Sequence, residues 1–153
     1  MDVKYANPFI DSFATIMPQL GYNHIQSDDI SEKNQELINS GVNIIVGIVG
    51  KIKGNVVYSI DLVNAKNIAS TMMMGMPVDE LDEMSKSALS ELANMLTAGA
   101  ATAFYDMGIK VDISTPTLLE GNNISIKMSS NQVLSVRLLA DDTAIEVNIA
   151  FEK

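Results

Sequence analysis

The chain carries SALSELANM at residues 87–95, in the middle of the longest helix that its pattern predicts, from about residue 82 to about residue 106. At about 100° per residue, such a helix places a carboxylate and a carboxamide among small residues on one narrow stripe. The stripe consists of Ser87, Glu91, Asn94 and Ala98. The apolar side consists of Leu89, Leu92, Leu96 and Ala103. We therefore expect one buried and one exposed face, although Glu-x-x-Asn spacing alone is more typical of a solvated helix face than of a site.

The overall composition indicates a globular protein. The chain has 153 residues, of which 47% are hydrophobic, and this is enough for one domain with a substantial core. No apolar run approaches the roughly 20 residues that span a bilayer, and the N-terminus shows no signal-peptide pattern. We expect a single domain over residues 1–153, located in the cytoplasm and not inserted in a membrane.

Several classes of functional site are disfavoured by the residue types present. The chain has no cysteine, which excludes disulfides, thiol nucleophiles and thiolate metal sites. His24 is the one histidine, so a histidine-based metal cluster is excluded and a Ser-His-Asp triad has little support. The net charge of −9 argues against nucleic acid or an anionic membrane as the partner. Chemistry must therefore come from carboxylates, amides, hydroxyls, lysines or a partner's groups.

Two further helices are predicted before the longest one. The first starts near Asn7, which we expect to be its capping residue, with Pro8 at the first helical position. The second covers residues 62–74 and is ended by Gly75, the usual residue for a left-handed cap. Residues 79–83 place acidic side chains at the start of the longest helix, where the helix dipole favours them.

The other apolar segments predict strands. They cover 42–50, 56–61, 109–113, 124–128, 133–138 and 144–151. Predicted turns lie at 121–123, 129–131 and 141–142. Residues 22–41 are polar and predict loop or edge structure, with at most a short strand at 35–39. Because short loops favour antiparallel pairing, we expect an α+β fold in which helices pack on a mostly antiparallel sheet.

Two stretches of the chain resemble a known protein family. They are DEMSKSALSELANM at residues 82–95 and KVDISTPT at residues 110–117. Both are similar to the CheC/CheX/FliY phosphatases of bacterial chemotaxis, and most similar to the CheX-like members. The similarity extends upstream through residues 49–59 and 72–76, so it covers most of the chain from about residue 43. The resemblance implies a CheC-like fold.

The family pattern consists of Asp or Ser, three residues, Glu, two residues, Asn and a later proline. The matching residues are Ser87, Glu91, Asn94 and Pro116. CheC-type members carry the motif twice, once in the first helix, but residues 11–17 have no Glu or Asn at the needed spacing. The resemblance therefore implies one site per chain, and a homodimer as in CheX-like relatives.

The resemblance also implies hydrolysis of the aspartyl phosphate of a CheY-type response regulator. The acyl phosphate and its Mg²⁺ would sit on the receiver, so the chain would need no cofactor of its own. Asn94 would orient the attacking water, and Glu91 would pair with the receiver's active-site lysine. Ser87 would be a small neighbour that permits close approach.

Two alternative functions remain open from the sequence. The first is a non-catalytic module that binds a phosphorylated receiver without accelerating its hydrolysis. The second is a dimeric scaffold in a signalling assembly, which predicts that Glu91 and Asn94 are buried or irregularly placed.

Overall fold

The computed structural model describes residues 2–152 and contains three α-helices and eight strands in that range. The helices are α1 (Asn7–Ile16), α2 (Leu62–Met72) and α3 (Glu83–Asp106). The strands are β1 (Ile25–Ser27), β2 (Ser31–Lys33), β3 (Glu36–Gly50), β4 (Gly54–Ile60), β5 (Val111–Ile113), β6 (Thr117–Lys127), β7 (Val133–Ala140) and β8 (Thr143–Phe151). The predicted domain limits, Met1 and Lys153, lie outside the described residues.

The eight strands form one antiparallel sheet. Its order is β1-β7-β8-β4-β3-β5, with β2 also paired to β7 and β6 also paired to β3. The predicted α+β class with an antiparallel sheet is therefore confirmed. Strand β3 is the longest, and it brings β4, β5 and β6 into one surface beneath α3.

The three helices cover one face of the sheet and enclose the main core. Leu89, Leu92 and Leu96 of α3 are buried there, as the apolar stripe predicted. Close packing of α1 on α3 depends on Gly99, because a Cβ atom at that position would lie 2.3 Å from Ser12 Oγ. The Ser12 hydroxyl donates to the Leu96 carbonyl at 2.7 Å and links the two helices.

A smaller apolar cluster covers part of the other face. It consists of Leu37, Val57, Ile126, Met128, Val133 and Ala150. The first part of β3 and the end of β6 bring Leu37 and Ile126 to this cluster. The register of β3 against β6 shifts between Asn39 and Gly41. Gly41 has φ +103°, and a Cβ there would lie 2.5 Å from the Ile60 carbonyl oxygen, so the shift needs a glycine.

Three local predictions were wrong. Asn7 does not cap the start of α1, because a 3₁₀ helix (Val3–Ala6) runs directly into α1 and Asn7 is itself the first residue of α1. Residues 121–123 are not a turn, since β6 continues through them with Asn123 at φ 53°. Residues 22–41 contain more strand than predicted, namely β1, β2 and the start of β3, although β1 and β2 do lie at an edge of the sheet. In the strand segments, pairing with distant partners outweighs weak local preference.

Candidate active site

The first turn of α3 is held by a side-chain cap. Asp82 precedes the helix, and its Oδ1 accepts the Ser85 backbone N–H at 2.8 Å and the Ser85 hydroxyl at 2.7 Å. The backbone and side-chain hydrogen bonds from Ser85 lower the pKa of the Asp82 carboxyl below its ordinary value, because they stabilise the carboxylate. The start of α3, and thus the register of the residues that follow, is well defined.

The inward face of α3 is held to the sheet by two buried hydroxyls. The Thr97 hydroxyl donates to the Ala93 carbonyl at 2.7 Å, and the Tyr58 hydroxyl on β4 lies 2.8 Å from Thr97 Oγ1. Burial raises the pKa of Tyr58 far above its ordinary value, so this phenol is neutral and can donate to Thr97. The contact limits rotation of α3 on the sheet and so helps to keep the same side chains facing outwards.

The outer face of α3 forms one wall of an open cleft of about 610 Å³. The residues lining it are Glu83, Lys86, Ser87, Ser90, Glu91, Asn94, Thr115, Pro116 and Leu118. The structure thus brings together all four residues of the predicted motif, although Pro116 lies on a different segment from the other three. The short segment between β5 and β6 supplies Thr115 and Pro116, and the pairing of both strands with β3 positions it.

Glu91 and Asn94 lie side by side on the cleft surface. Glu91 is exposed and Asn94 is half-buried, one helical turn further along. Their hydrogen-bonding groups are therefore available to a second molecule. The arrangement offers an amide, which can donate and accept hydrogen bonds together, next to a carboxylate, which only accepts them. The roles predicted for these two side chains stay predictions.

Lys86 is the one cation among the described residues that line the cleft. Its ammonium lies 3.3 Å from Glu120 Oε1 on β6, in an ion pair at the cleft margin. Lys86 lies within residues 82–95, the stretch that carries the family resemblance. No local pattern could reveal the pair, because the contact depends on the packing of α3 beside β6.

Within residues 2–152, no three acidic or histidine side chains come close enough together to hold a metal ion. None of the helices in this part of the chain combines the length and apolar character needed to cross a membrane. His24 is exposed just before β1.

Comparison with known proteins identifies the family. Residues 42–138 match the model of the family described as chemotaxis phosphatase CheX. The chain is 35% identical over 128 residues to the CheY-P phosphatase CheX of Thermotoga maritima, covering 83% of this chain and 82% of that protein. The chain belongs to the chemotaxis phosphatase CheX family. The resemblance noted in the sequence is therefore confirmed.

Two solved structures extend this similarity to the whole CheX-type fold. A CheC-like superfamily protein from Shewanella sp. PV-4 matches with a TM-score of 0.84 and 26% identity, covering 100% of both chains. The complex of CheX with CheY, BeF₃ and Mg²⁺ from Borrelia burgdorferi matches with a TM-score of 0.83 and 26% identity, covering 99% of this chain and 100% of that chain. The predicted CheC-like fold is thus confirmed.

Proposed function

We propose that this chain is a phosphatase that hydrolyses the aspartyl phosphate of a CheY-type response regulator. The observation that carries the proposal is the placement of Glu91 and Asn94, one turn apart on α3, in an open cleft that Pro116 also lines. Family membership supports the reaction class, and the Thermotoga relative is described as a CheY-P phosphatase. The Borrelia complex supports a CheY-type partner.

Asn94 acts in this proposal by positioning water. Its amide oxygen accepts a hydrogen from the attacking water, while its amide nitrogen donates to the water or to a phosphoryl oxygen. A carboxamide is too weak a base to remove a proton usefully, so the acceleration comes from orientation in line with the phosphorus. The hydrogen bond between Thr97 and Tyr58 links the helix bearing Asn94 to β4. Because α3 is already held in place, less motion of the helix has to be lost when the receiver docks.

Glu91 acts by holding the receiver. Its exposed carboxylate pairs with the receiver's active-site lysine through a charge-assisted hydrogen bond, which sets the register between the proteins. The Mg²⁺ belongs to the receiver in this proposal, and the chain contributes only an amide and a carboxylate. Ser87 and Ser90 line the cleft beside Glu91 and Asn94, and their small side chains allow the receiver to approach closely. Acting on a CheY-type receiver requires a cytoplasmic location.

The deciding experiment measures the decay of a phosphorylated CheY receiver with wild-type chain and with Asn94→Ala. We expect the variant to lower the rate constant at saturating receiver by about 100-fold or more, because the water loses its orienting group. Asn131→Ala provides a control, since Asn131 is an exposed amide outside the cleft. Unchanged acceleration by Asn94→Ala, with a normal thermal midpoint, would remove the mechanism.

The two alternatives make different predictions. A module that only binds the receiver would leave the decay rate unchanged at every wild-type concentration while still forming a complex. Binding and phosphate release measured on the same receiver separate this from catalysis. The scaffold hypothesis required Glu91 and Asn94 to be buried or irregularly placed, and their position on the cleft surface counts against it.

A further inference from the structure

The cleft has an ion pair that the proposed reaction does not use. Lys86 and Glu120 join α3 to β6 at 3.3 Å, and their side chains are 41% and 33% exposed. A pair this exposed contributes little to folding, because water and salt screen it. Lys86 is the one cation among the described residues that line the cleft. A contribution to folding therefore does not explain well why it lies at this margin.

Charge complementarity indicates what the cation meets. The chain has a net charge of −9, and the other charged residues lining the cleft are Glu83 and Glu91. A receiver phosphorylated on aspartate is acidic at the same place, because the phosphoryl group is anionic and protein-bound Mg²⁺ needs carboxylate ligands. Two acidic surfaces repel each other on approach, and the receiver's lysine is already paired with Glu91 in the proposed complex. A further cation at the cleft margin therefore lowers the remaining repulsion.

We propose that Lys86 is a docking residue, which leaves Glu120 and pairs with a receiver carboxylate beside the phosphorylation site. This inference rests on the proposed function. In the free chain Glu120 competes for the ammonium, so the receiver must displace it. Lys86 would thereby help to select receivers that present an acidic side chain at this position.

Helix geometry separates Lys86 from the chemical step. Around the axis of α3, Asn94 lies between the two charges, about 80° from Lys86 and about 60° from Glu91. Along the axis, Lys86 precedes Asn94 by about 12 Å. The ammonium therefore contacts the receiver surface and stays away from the reacting phosphorus. A docking role of this kind alters receiver affinity and leaves kcat unchanged.

The ion pair allows a test in which two substitutions have opposite effects. Lys86→Ala removes the docking cation and should weaken binding, whereas Glu120→Gln removes its competitor and should strengthen binding. If the ion pair only stabilises the fold, both substitutions should change receiver affinity in the same direction or leave it unchanged. Lys127→Ala is the matched control, because it removes one exposed positive charge at the far end of β6.

Binding is measured with Borrelia burgdorferi CheY to which BeF₃ and Mg²⁺ are bound, as in the solved complex. Turnover is measured with the same receiver after phosphorylation by acetyl phosphate. We expect Lys86→Ala to raise Kd and KM about three- to tenfold with kcat within about twofold, and Glu120→Gln to lower both about twofold. Lys86→Ala should also weaken the dependence of Kd on salt concentration.

Shifts of Lys86→Ala and Glu120→Gln in the same direction would overturn the inference, as would a Kd unchanged by both. A lower kcat for Lys86→Ala at constant KM would overturn it too, by giving Lys86 a role in the chemical step. The proposed function fails separately, if Asn94→Ala keeps full turnover while the opposite effects on Kd persist. A wild-type chain that neither binds nor dephosphorylates the receiver would overturn both.

Discussion

At the scale of single residues, Glu91 and Asn94 differ in what their surroundings allow. Glu91 is exposed, so its carboxylate is hydrated until a partner arrives and can exchange water for a cation. Asn94 is half-buried on the cleft surface, so its side chain has less free space around it than the side chain of Glu91 has. A flexible charge suits docking, and a restrained amide suits the orientation of one water molecule.

Substitution of Glu91 should therefore affect the formation of the complex first. We expect Glu91→Gln to raise KM for a phosphorylated CheY receiver about tenfold, and Glu91→Lys to raise it further through repulsion by the receiver's lysine. Because the side chain is exposed, unfolding free energy should change by less than about 0.5 kcal/mol.

Steady-state kinetics and calorimetric binding provide the measurement for Glu91. Glu80→Gln is the control, since Glu80 is exposed and lies outside the cleft. An unchanged KM for Glu91→Lys would contradict the docking role.

At the scale of elements, α3 is the part of the chain on which the cleft is built. Its opposite faces meet different requirements, with three leucines in the core and the motif residues at the surface. Asp82 defines the start of α3 through its hydrogen bonds with Ser85. Asp82 lies four residues before Lys86 and twelve before Asn94. Loss of this cap should loosen the first turn and the cleft margin beside it.

The Asp82 cap predicts a pH dependence with a definite sign. Its pKa is lowered in the folded chain, so its stabilising effect is complete above the ordinary carboxyl pKa of 3.8 and is lost as pH falls through the folded-state value. We expect Asp82→Ala to lower the thermal midpoint at pH 7, and the difference from wild type to shrink as pH falls below about 4.

Comparison with Asp82→Asn isolates the charge. Asparagine keeps an oxygen that accepts the Ser85 N–H, so this variant should lose less stability at pH 7 and depend less on pH. Thermal melts of wild type and both variants between pH 3 and pH 7 would check this. A constant difference between wild type and Asp82→Ala across that range would show that the carboxylate charge has no part in the cap.

At the scale of the whole molecule, the free edge of β6 bears on the predicted homodimer. Within residues 2–152, β6 pairs only with β3, so the other edge of an 11-residue strand has no strand partner. Exposed strand edges of this length are places where a second chain can pair. A two-fold homodimer, which the family resemblance implies, stays a proposal.

Solution mass tests the dimer directly. We expect light scattering or sedimentation to give twice the 16.5 kDa of one chain at micromolar concentration. Because one site per chain is expected, turnover per chain should not rise when the dimer is diluted into monomers. A mass of one chain over the whole accessible concentration range would contradict the homodimer.

Much of the site could be predicted from the sequence because its parts are local. The apolar spacing of Leu89, Leu92 and Leu96 determines which side of α3 is buried, and this leaves Glu91 and Asn94 outside. Such periodic patterns express preferences of the nearest residues, which the chain carries before it folds. The resemblance to known phosphatases added Pro116, which no local pattern connects to α3.

Tertiary structure decided the features that depend on distant partners. Residues 121–123 resemble a turn in isolation, yet β3 supplies a continuous ladder that keeps them in β6. The Lys86–Glu120 pair likewise exists only because α3 packs beside β6. Period and capping are properties of neighbouring residues, whereas strand pairing and charge contacts across elements depend on the complete fold, where remote hydrogen bonds and packing outweigh weak local preferences.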